Sequence, residues 1–287
     1  AQIYAGRQDM VNMAKYYEGL IQNFPKASPA ALAEAHFLLG RAAFDQGDFK
    51  SSISHMAEAK TLDPQKYGEQ VNVLSVLSYH KLQDVNKLKE ALETLQKENP
   101  SAVARVPDVI PAWLGLQAYG MKDLETADKY MTWATQNDQL QNVKKVIWRN
   151  LAKVRLALKK YDRALVASNN FLKDEDQPYR RADGMLDKAS ILLGLGKYAD
   201  ARKTAEEALA LGVEGPLMAS LKIVLGDISY AEKKFDEAAK HYGVTAELFV
   251  NDAELKPKAL FKAAAHALRD AAAQEEGDVL LSSKGVL

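Results

Sequence analysis

The chain has 287 residues, of which 47% are hydrophobic and 26% charged, a balance that argues against disorder. Its 38 basic and 38 acidic side chains leave no net charge and form no Lys/Arg block, which argues against a nucleic-acid partner. It has no cysteine, so disulfides, thiolate metal sites and a cysteine nucleophile are excluded, and no apolar run reaches the ~18–20 residues that span a bilayer.

The N-terminal segment has the spacing of a helix. Met13, Tyr17 and Leu20 recur at helical intervals, and Pro25 follows them where a helix would end. We interpret residues 1–32 as a linker and a partial copy of the helix–turn–helix repeat that recurs from residue 33 onward. Because the chain begins at Ala1, in the middle of a repeat, and lacks a basic-then-apolar leader, we expect a processed protein or an excerpt of a longer one.

From residue 33 onward, one helix–turn–helix pattern recurs six times. The repeats begin near residues 33, 69, 108, 145, 182 and 219, so successive repeats are 36 to 39 residues apart. The eighth position is small in five of the six repeats, as Gly40, Gly115, Ala152, Ala189 and Gly226, and the exception is Val76. The seventeenth position is apolar or aromatic: Phe49, Val85, Leu124, Tyr161, Tyr198 and Phe235. The twentieth position is again small in five of the six repeats, as Ser52, Ala127, Ala164, Ala201 and Ala238, and the exception is Leu88.

This pattern predicts antiparallel helix hairpins. Short polar turns interrupt the helical spacing every 12 to 20 residues, and strand signals are nearly absent. Small residues at the eighth and twentieth positions let two helices approach closely, and the residue at the seventeenth packs between them just after the turn. One hairpin cannot bury its apolar faces alone, so neighbouring hairpins must stack.

Residues 33–64, AEAHFLLGRAAFDQGDFKSSISHMAEAKTLDP, resemble a full tetratricopeptide repeat. The Leu-Gly, Gly-Asp-aromatic, small-residue and Asp-Pro positions match without a gap, and the other five repeats match in phase. The resemblance implies an all-α, right-handed superhelical solenoid of about seven to eight antiparallel helix hairpins. It predicts a single array over residues 1–287, closed by a degraded capping repeat at 257–287.

The sequence carries no recognisable catalytic or cofactor motif. Gly-x-Ser-x-Gly, a phosphate-cradling glycine loop and a dinucleotide fingerprint are all missing. No two histidines have the spacing of a ligand pair, and we expect structural or surface roles for His36, His55, His80, His241 and His266. We therefore predict a protein that is not an enzyme and has no cofactor or metal.

The resemblance also implies where a partner would bind. In tetratricopeptide arrays the ligand usually lies in a concave groove lined by the first helix of each repeat. Carried onto this sequence, the groove residues are Phe37, Arg41, Phe44, Val73, Leu77, His80, Trp113, Leu116, Tyr119, Arg149, Asn150, Lys153, Asp187, Ser190, Asp227 and Tyr230.

Two neighbouring groups stand out within this groove. Arg149, Asn150 and Lys153 share one helical face and form a donor-rich patch. An apolar shelf on the preceding repeat would lie beside it, formed by Trp113, Leu116 and Tyr119. We hypothesise that the patch contacts an acidic or carboxylate-bearing segment of a partner. Asp187 and Asp227, at groove positions of the following repeats, argue against the carboxylate grip of chaperone-binding family members.

A second resemblance concerns cellular location. The segment YYEGLIQNFPKASPAALAEAHFLLG, residues 16–40, is similar to repeats of bacterial envelope proteins, including outer-membrane-protein assembly lipoproteins and periplasmic partners of cell-division machinery. It implies the periplasm or cell envelope, with a cytoplasmic location as the alternative.

The sequence thus predicts a non-catalytic scaffold that binds a protein or peptide in its groove. Two alternatives stay open at this point. The chain could be a docking domain or subunit of a larger enzyme or secretion complex whose catalytic part lies elsewhere. It could also be a regulatory sensor of a peptide or small molecule.

Overall fold

The computed structural model describes residues 10–136, 141–173, 175–248 and 259–263, and all regular secondary structure in these ranges is helical. This confirms the predicted all-α class. The α-helices are α1 Met10–Asn23, α2 Pro29–Asp45, α3 Phe49–Leu62, α4 Pro64–Lys81, α5 Val85–Glu98, α6 Val109–Gly120, α7 Leu124–Thr135, α8 Gln141–Ala157, α9 Tyr161–Lys173, α10 Pro178–Gly194, α11 Tyr198–Ala210, α12 Gly215–Ala231 and α13 Phe235–Leu248. A 3₁₀ helix, Pro100–Arg105, lies between α5 and α6.

The chain divides into two compact units. The first unit is Ala1–Lys122 and the second unit is Asp123–Leu287. The division falls between α6 and α7, inside the repeat predicted to begin near 108. The single array over residues 1–287 stays a prediction. The predicted capping repeat, 257–287, lies outside the described residues except for a helical segment at 259–263.

Within each unit the helices pack in chain order. In the first unit α1 packs on α2, α2 on α3, α3 on α4 and α4 on α5. In the second unit α8 pairs with α9, α10 with α11 and α12 with α13, and the alternate helices α8, α10 and α12 also contact in succession. This is the packing of stacked helix hairpins, with the first helices of successive repeats forming one layer. No helix among the described residues is long and apolar enough to cross a membrane.

The turn between the two helices of a repeat has one backbone conformation throughout. Each second helix begins at the seventeenth position, and the residue two places earlier has a positive φ. These residues are Gly47, Gln83, Lys122, Lys159, Gly196 and Lys233, with φ between 56° and 83°. Only glycine adopts this left-handed region without a steric cost, so four of the six turns hold a residue type that disfavours it. The following aspartate caps the second helix in three cases, as Asp48 does by accepting a hydrogen bond from the Ser51 amide at 3.1 Å.

A buried charge cluster joins α7, α8 and α9 in the second unit. Asp128 accepts hydrogen bonds from Arg155 Nε at 2.7 Å and from Lys160 Nζ at 3.0 Å. Burial by itself would raise the pKa of Asp128, but these hydrogen bonds and charges lower it below its ordinary value. Arg155 also donates to the Thr132 hydroxyl at 2.8 Å, so the cluster is paired from several sides.

The small residues of the repeat lie where the two helices of a hairpin meet. At Gly226 on α12, a Cβ atom would lie 2.5 Å from Cε1 of Tyr242 on α13, closer than any real contact. The Tyr242 hydroxyl donates to Asp227 Oδ1 at 2.7 Å, so this ring is held in place. A side chain at position 226 would therefore force the Tyr242 ring to move.

Two glycine-to-alanine substitutions in this hairpin should have opposite effects on stability. Gly226→Ala should lower the free energy of unfolding by ~1–3 kcal/mol because the added methyl overpacks the interface. Gly243→Ala, in the interior of α13 with no atom within 4 Å of the added Cβ, should raise it by roughly 0.5–1 kcal/mol through helix propensity. Chemical denaturation followed by circular dichroism measures both. Equal effects in the two variants would contradict the close approach at Gly226.

Candidate functional site

A cleft of about 290 Å³ opens between α2, α4 and the 3₁₀ helix of the first unit. It is lined by Phe37, Arg41, Phe44, Asp45, Gln70, Val73, Leu74 and Arg105. Four of these, Phe37, Arg41, Phe44 and Val73, are groove residues predicted from the sequence. The structure thus brings together the first four members of the predicted groove.

Two phenylalanines form the apolar floor of this cleft. The Phe37 ring stacks on Tyr67 with centroids 4.7 Å apart, and Phe44 meets the edge of Phe49 at 5.4 Å. Both phenylalanines are half-buried, so each is held by a neighbouring ring and still presents surface to the cleft. A preorganised apolar floor binds an apolar side chain without having to become ordered first.

The charged side chains of the cleft are two arginines and one aspartate. Arg105 forms an ion pair with Glu69 at 2.7 Å, and the two side chains are 61% and 38% exposed. Exposed ion pairs of this kind contribute little to the stability of a protein. Arg41 is exposed, and its side chain forms no hydrogen bond or ion pair with any residue that the structure describes. The cleft therefore combines an apolar floor with a guanidinium group that donates to none of the described residues, although Asp45 also lines the cleft.

Two more predicted groove residues of the first unit meet each other. The His80 ring stands at 85° to the Trp113 ring, with centroids 5.4 Å apart. Burial lowers the pKa of His80, and the charge of Lys81 lowers it further, so the imidazole is neutral at neutral pH. Leu116 and Tyr119, also on α6, are half-buried.

The predicted donor patch of the second unit is not free. Arg149 pairs with Asp183, and Lys153 Nζ lies 3.8 Å from Asp187 Oδ2. Asn150 donates to the Val146 carbonyl of its own helix at 2.9 Å. The cations of α8 thus face carboxylates on α10, which occupies the same layer in the next repeat.

The remaining groove side chains of the second unit also have partners within the unit. Asp227 is held by the Tyr242 hydroxyl and pairs with Lys262 from the 259–263 segment. Tyr230 packs against Phe235 with ring centroids 5.4 Å apart. The shelf of Trp113, Leu116 and Tyr119 belongs to the first unit, whereas the donor patch belongs to the second, so their juxtaposition stays a prediction.

Sequence reasoning missed several of the side chains that shape these sites. Asp183, which neutralises Arg149, stands at the second position of its repeat, and that offset could have identified it as a groove residue. Arg105 gave no such signal, because it lies on the 3₁₀ helix that interrupts the repeat pattern. Only the fold brings it to the cleft.

Asp187 is the buried carboxylate among the charge pairs between α8 and α10. Burial raises its pKa to about 6, and the charges of Lys153 and Arg149 only partly oppose that rise. Its Oδ2 atom is buried and accepts no hydrogen bond from a described residue. The native state therefore holds a proton on Asp187 more tightly than the unfolded chain does, whose ordinary pKa is 3.8.

Asp187→Asn should remove a fall in the free energy of unfolding that the wild type shows as pH rises. Because the pKa is raised in the native state, the free energy of unfolding of the wild type should fall as pH rises from about 4 to 6, by on the order of 2–3 kcal/mol. The asparagine variant should lack this fall and be the more stable protein above pH 6. Chemical denaturation at several pH values measures the difference. Asp162→Asn, which removes an exposed carboxylate of α9, serves as the control, and parallel pH profiles of wild type and Asp187→Asn would contradict the account.

The comparisons with known proteins agree with this architecture. A tetratricopeptide repeat family model matches residues 14–67 and 186–246. None of the curated proteins is significantly similar to the chain. Both matched segments carry the helix hairpins described above, α1 to α4 in the first unit and α10 to α13 in the second.

Solved structures resemble the chain at low sequence identity. A chain of the Naa15/Naa10 complex bound to HypK-THB is 14% identical, with a TM-score of 0.54 over 90% of this chain and 38% of that one. The apo form of RapI is 16% identical, with a TM-score of 0.50 over 87% and 74% of the two chains. A tetratricopeptide repeat protein from Parabacteroides merdae ATCC 43184 is 17% identical, with a TM-score of 0.40 over 91% and 95%.

At these identities the likeness to the Naa15/Naa10 chain and to RapI shows the fold alone, and this chain spans well under half of the chain in the Naa15/Naa10 complex. The matched segments nevertheless account for hairpins in both units. The chain therefore has an all-α repeat fold, and two of its segments, 14–67 and 186–246, match tetratricopeptide repeats.

Proposed function

We propose that this protein is a non-catalytic scaffold that binds a segment of a partner protein in the cleft of its first unit. The observation that carries this proposal is Arg41, whose guanidinium pairs with no described residue and lines the same cleft as the half-buried rings of Phe37 and Phe44. An exposed cation beside a preformed apolar surface fits a segment that carries both an apolar and an acidic side chain.

The energetics favour this pairing of side chains. Burying one large apolar side chain of the partner contributes ~1.5–3 kcal/mol. A carboxylate on Arg41 adds ~0.2–1 kcal/mol if the pair stays exposed, and a charged hydrogen bond shielded from water adds ~1.5–3 kcal/mol. At about 290 Å³ the cleft is small, so it would hold a few side chains of an extended segment rather than a whole folded surface.

We do not assign the acidic side chain of the partner to the predicted donor patch of the second unit. An acidic segment at Arg149 or Lys153 would have to displace or neutralise Asp183 and Asp187 first. We therefore assign the acidic side chain of the partner to Arg41 and propose a mixed-charge or polar stretch for the groove of the second unit.

Peptide binding tests the cleft directly. The probe is a set of fluorescent peptides of about 8 residues that combine one Leu or Phe with Asp or Glu at varied spacing, measured by anisotropy. Arg41→Glu and Phe44→Ala should each weaken the best peptide by at least ~10-fold, or about 1.4 kcal/mol. The matched control is Lys50→Glu, an equal charge reversal at an exposed position of α3, which should change binding little. Equal losses in all three variants, or none in the first two, would contradict the assignment of the cleft.

We propose further that the protein works in the bacterial periplasm or cell envelope. The support is the similarity of residues 16–40 to repeats of envelope proteins, and a chain without cysteine suits an oxidising compartment. The native protein should therefore appear in the periplasmic or envelope fraction of its host, detected with an antibody. A cytoplasmic enzyme and a periplasmic enzyme serve as fractionation controls, and recovery with the cytoplasmic marker would overturn this location.

A further inference from the structure

Two histidines face each other inside the first hairpin. His36 on α2 and His55 on α3 place their Nδ1 atoms 3.1 Å apart, with ring centroids separated by 5.3 Å and the rings inclined by 45°. The helices that carry them are closely packed, since a Cβ atom at Gly40 would lie 3.2 Å from the His55 Cβ. The two imidazoles are therefore held on opposite sides of a tight helix–helix contact, 19 residues apart in sequence.

Both imidazoles are neutral, which is the charge state that binds metal ions, but the hydrogen bond between them requires one Nδ1 to carry a proton, which moves to Nε2 of that ring when an ion binds. Burial lowers the pKa of His36 and of His55, and the proximity of His55 lowers that of His36 further. Both rings are therefore neutral at neutral pH, and a neutral imidazole nitrogen is the ligand that zinc, copper and nickel ions use. Both side chains are also only half-buried, so part of each residue is exposed to solvent.

The separation of the two nitrogens suits a shared ion. Zinc–nitrogen bonds are about 2.0–2.1 Å long, so two ligands at the tetrahedral angle lie about 3.3–3.4 Å apart. The observed 3.1 Å is a few tenths of an ångström shorter than that distance.

The electrostatic surroundings also favour a cation. Glu58 on α3 acts on both imidazoles, and Glu18 on α1 and Asp48 in the turn before α3 act on His55. In the part of the chain that the structure describes, no group of three His, Cys, Asp or Glu side chains could hold a metal. An ion here would accordingly have two protein ligands, with the carboxylates acting at longer range.

We propose that His36 and His55 bind one divalent transition-metal ion, such as Zn²⁺, through their Nδ1 atoms, with water completing its coordination. The sequence alone predicted no metal, because the two residues have no ligand spacing along the chain. Mg²⁺ and Ca²⁺ are excluded from the pair because they prefer oxygen ligands. The proposal is independent of peptide binding in the neighbouring cleft.

Zinc binding to the full, untagged chain tests this site. Competition with a chromophoric zinc indicator should show one ion bound per chain, and zinc but not magnesium should raise Tm. His36→Ala and His55→Ala should each weaken binding by at least ~10-fold and abolish the rise in Tm. His241→Ala, which removes a half-buried histidine of the second unit, should leave both unchanged.

A conservative variant separates metal binding from hairpin stability. His55→Gln keeps a polar side chain of similar reach, and its helicity by circular dichroism shows whether the hairpin is intact. Loss of zinc binding with wild-type helicity would support the site. Zinc binding that survives in the folded His55→Gln variant, or no saturation of the wild type at about 1 mM zinc, would overturn it and leave the pair as a hydrogen-bonded contact.

Discussion

The close approach of the two helices in each hairpin is the constraint on which the described structure depends. At Gly40 the second helix comes so near that an added Cβ would lie 3.1 Å from the Ser52 carbonyl oxygen, and at Gly226 the Tyr242 ring occupies the space of a side chain. Since a larger side chain at either glycine would force its neighbours to move, these two hairpins favour one register of helix pairing. That register determines which residues of the first helix turn outward, and it also brings His36 against His55.

The same register gives equivalent positions different chemistry in different repeats. Arg41 and Lys153 both stand at the ninth position of their repeats. Lys153 faces Asp187 on the next first helix, whereas Arg41 faces a cleft floored by Phe37 and Phe44 and finds no acidic partner among the described residues. The identity of the neighbouring first helix, more than the position itself, thus decides whether a groove cation is available to a ligand.

Charge pairing inside the second unit therefore limits where an acidic partner can act. Its buried cluster around Asp128 and the pairs on α10 use cations and carboxylates to join successive helices. Desolvation makes such pairs costly to separate once formed, since breaking one leaves a charge without compensation. In the first unit Arg41 pairs with no described residue, so a ligand could contact its charge without separating such a pair.

The sequence by itself determined the all-α class and the positions that are buried within hairpins. These features depend on residues at short, regular spacing, such as the small eighth and twentieth positions, and helix geometry converts that spacing directly into a packed face. It also identified Phe37, Arg41 and Phe44 as neighbours on one face of α2.

Only the tertiary structure decided which of the predicted groove residues are available. The pairing of Arg149 with Asp183, the arrival of Arg105 at the cleft and the contact of His36 with His55 all join residues on different helices. Periodicity along one helix carries no information about the distance to a side chain on another. That distance follows from how closely the backbones pack and from insertions such as the 3₁₀ helix. It decides whether a charged residue is neutralised by a neighbouring helix or stays available to a ligand.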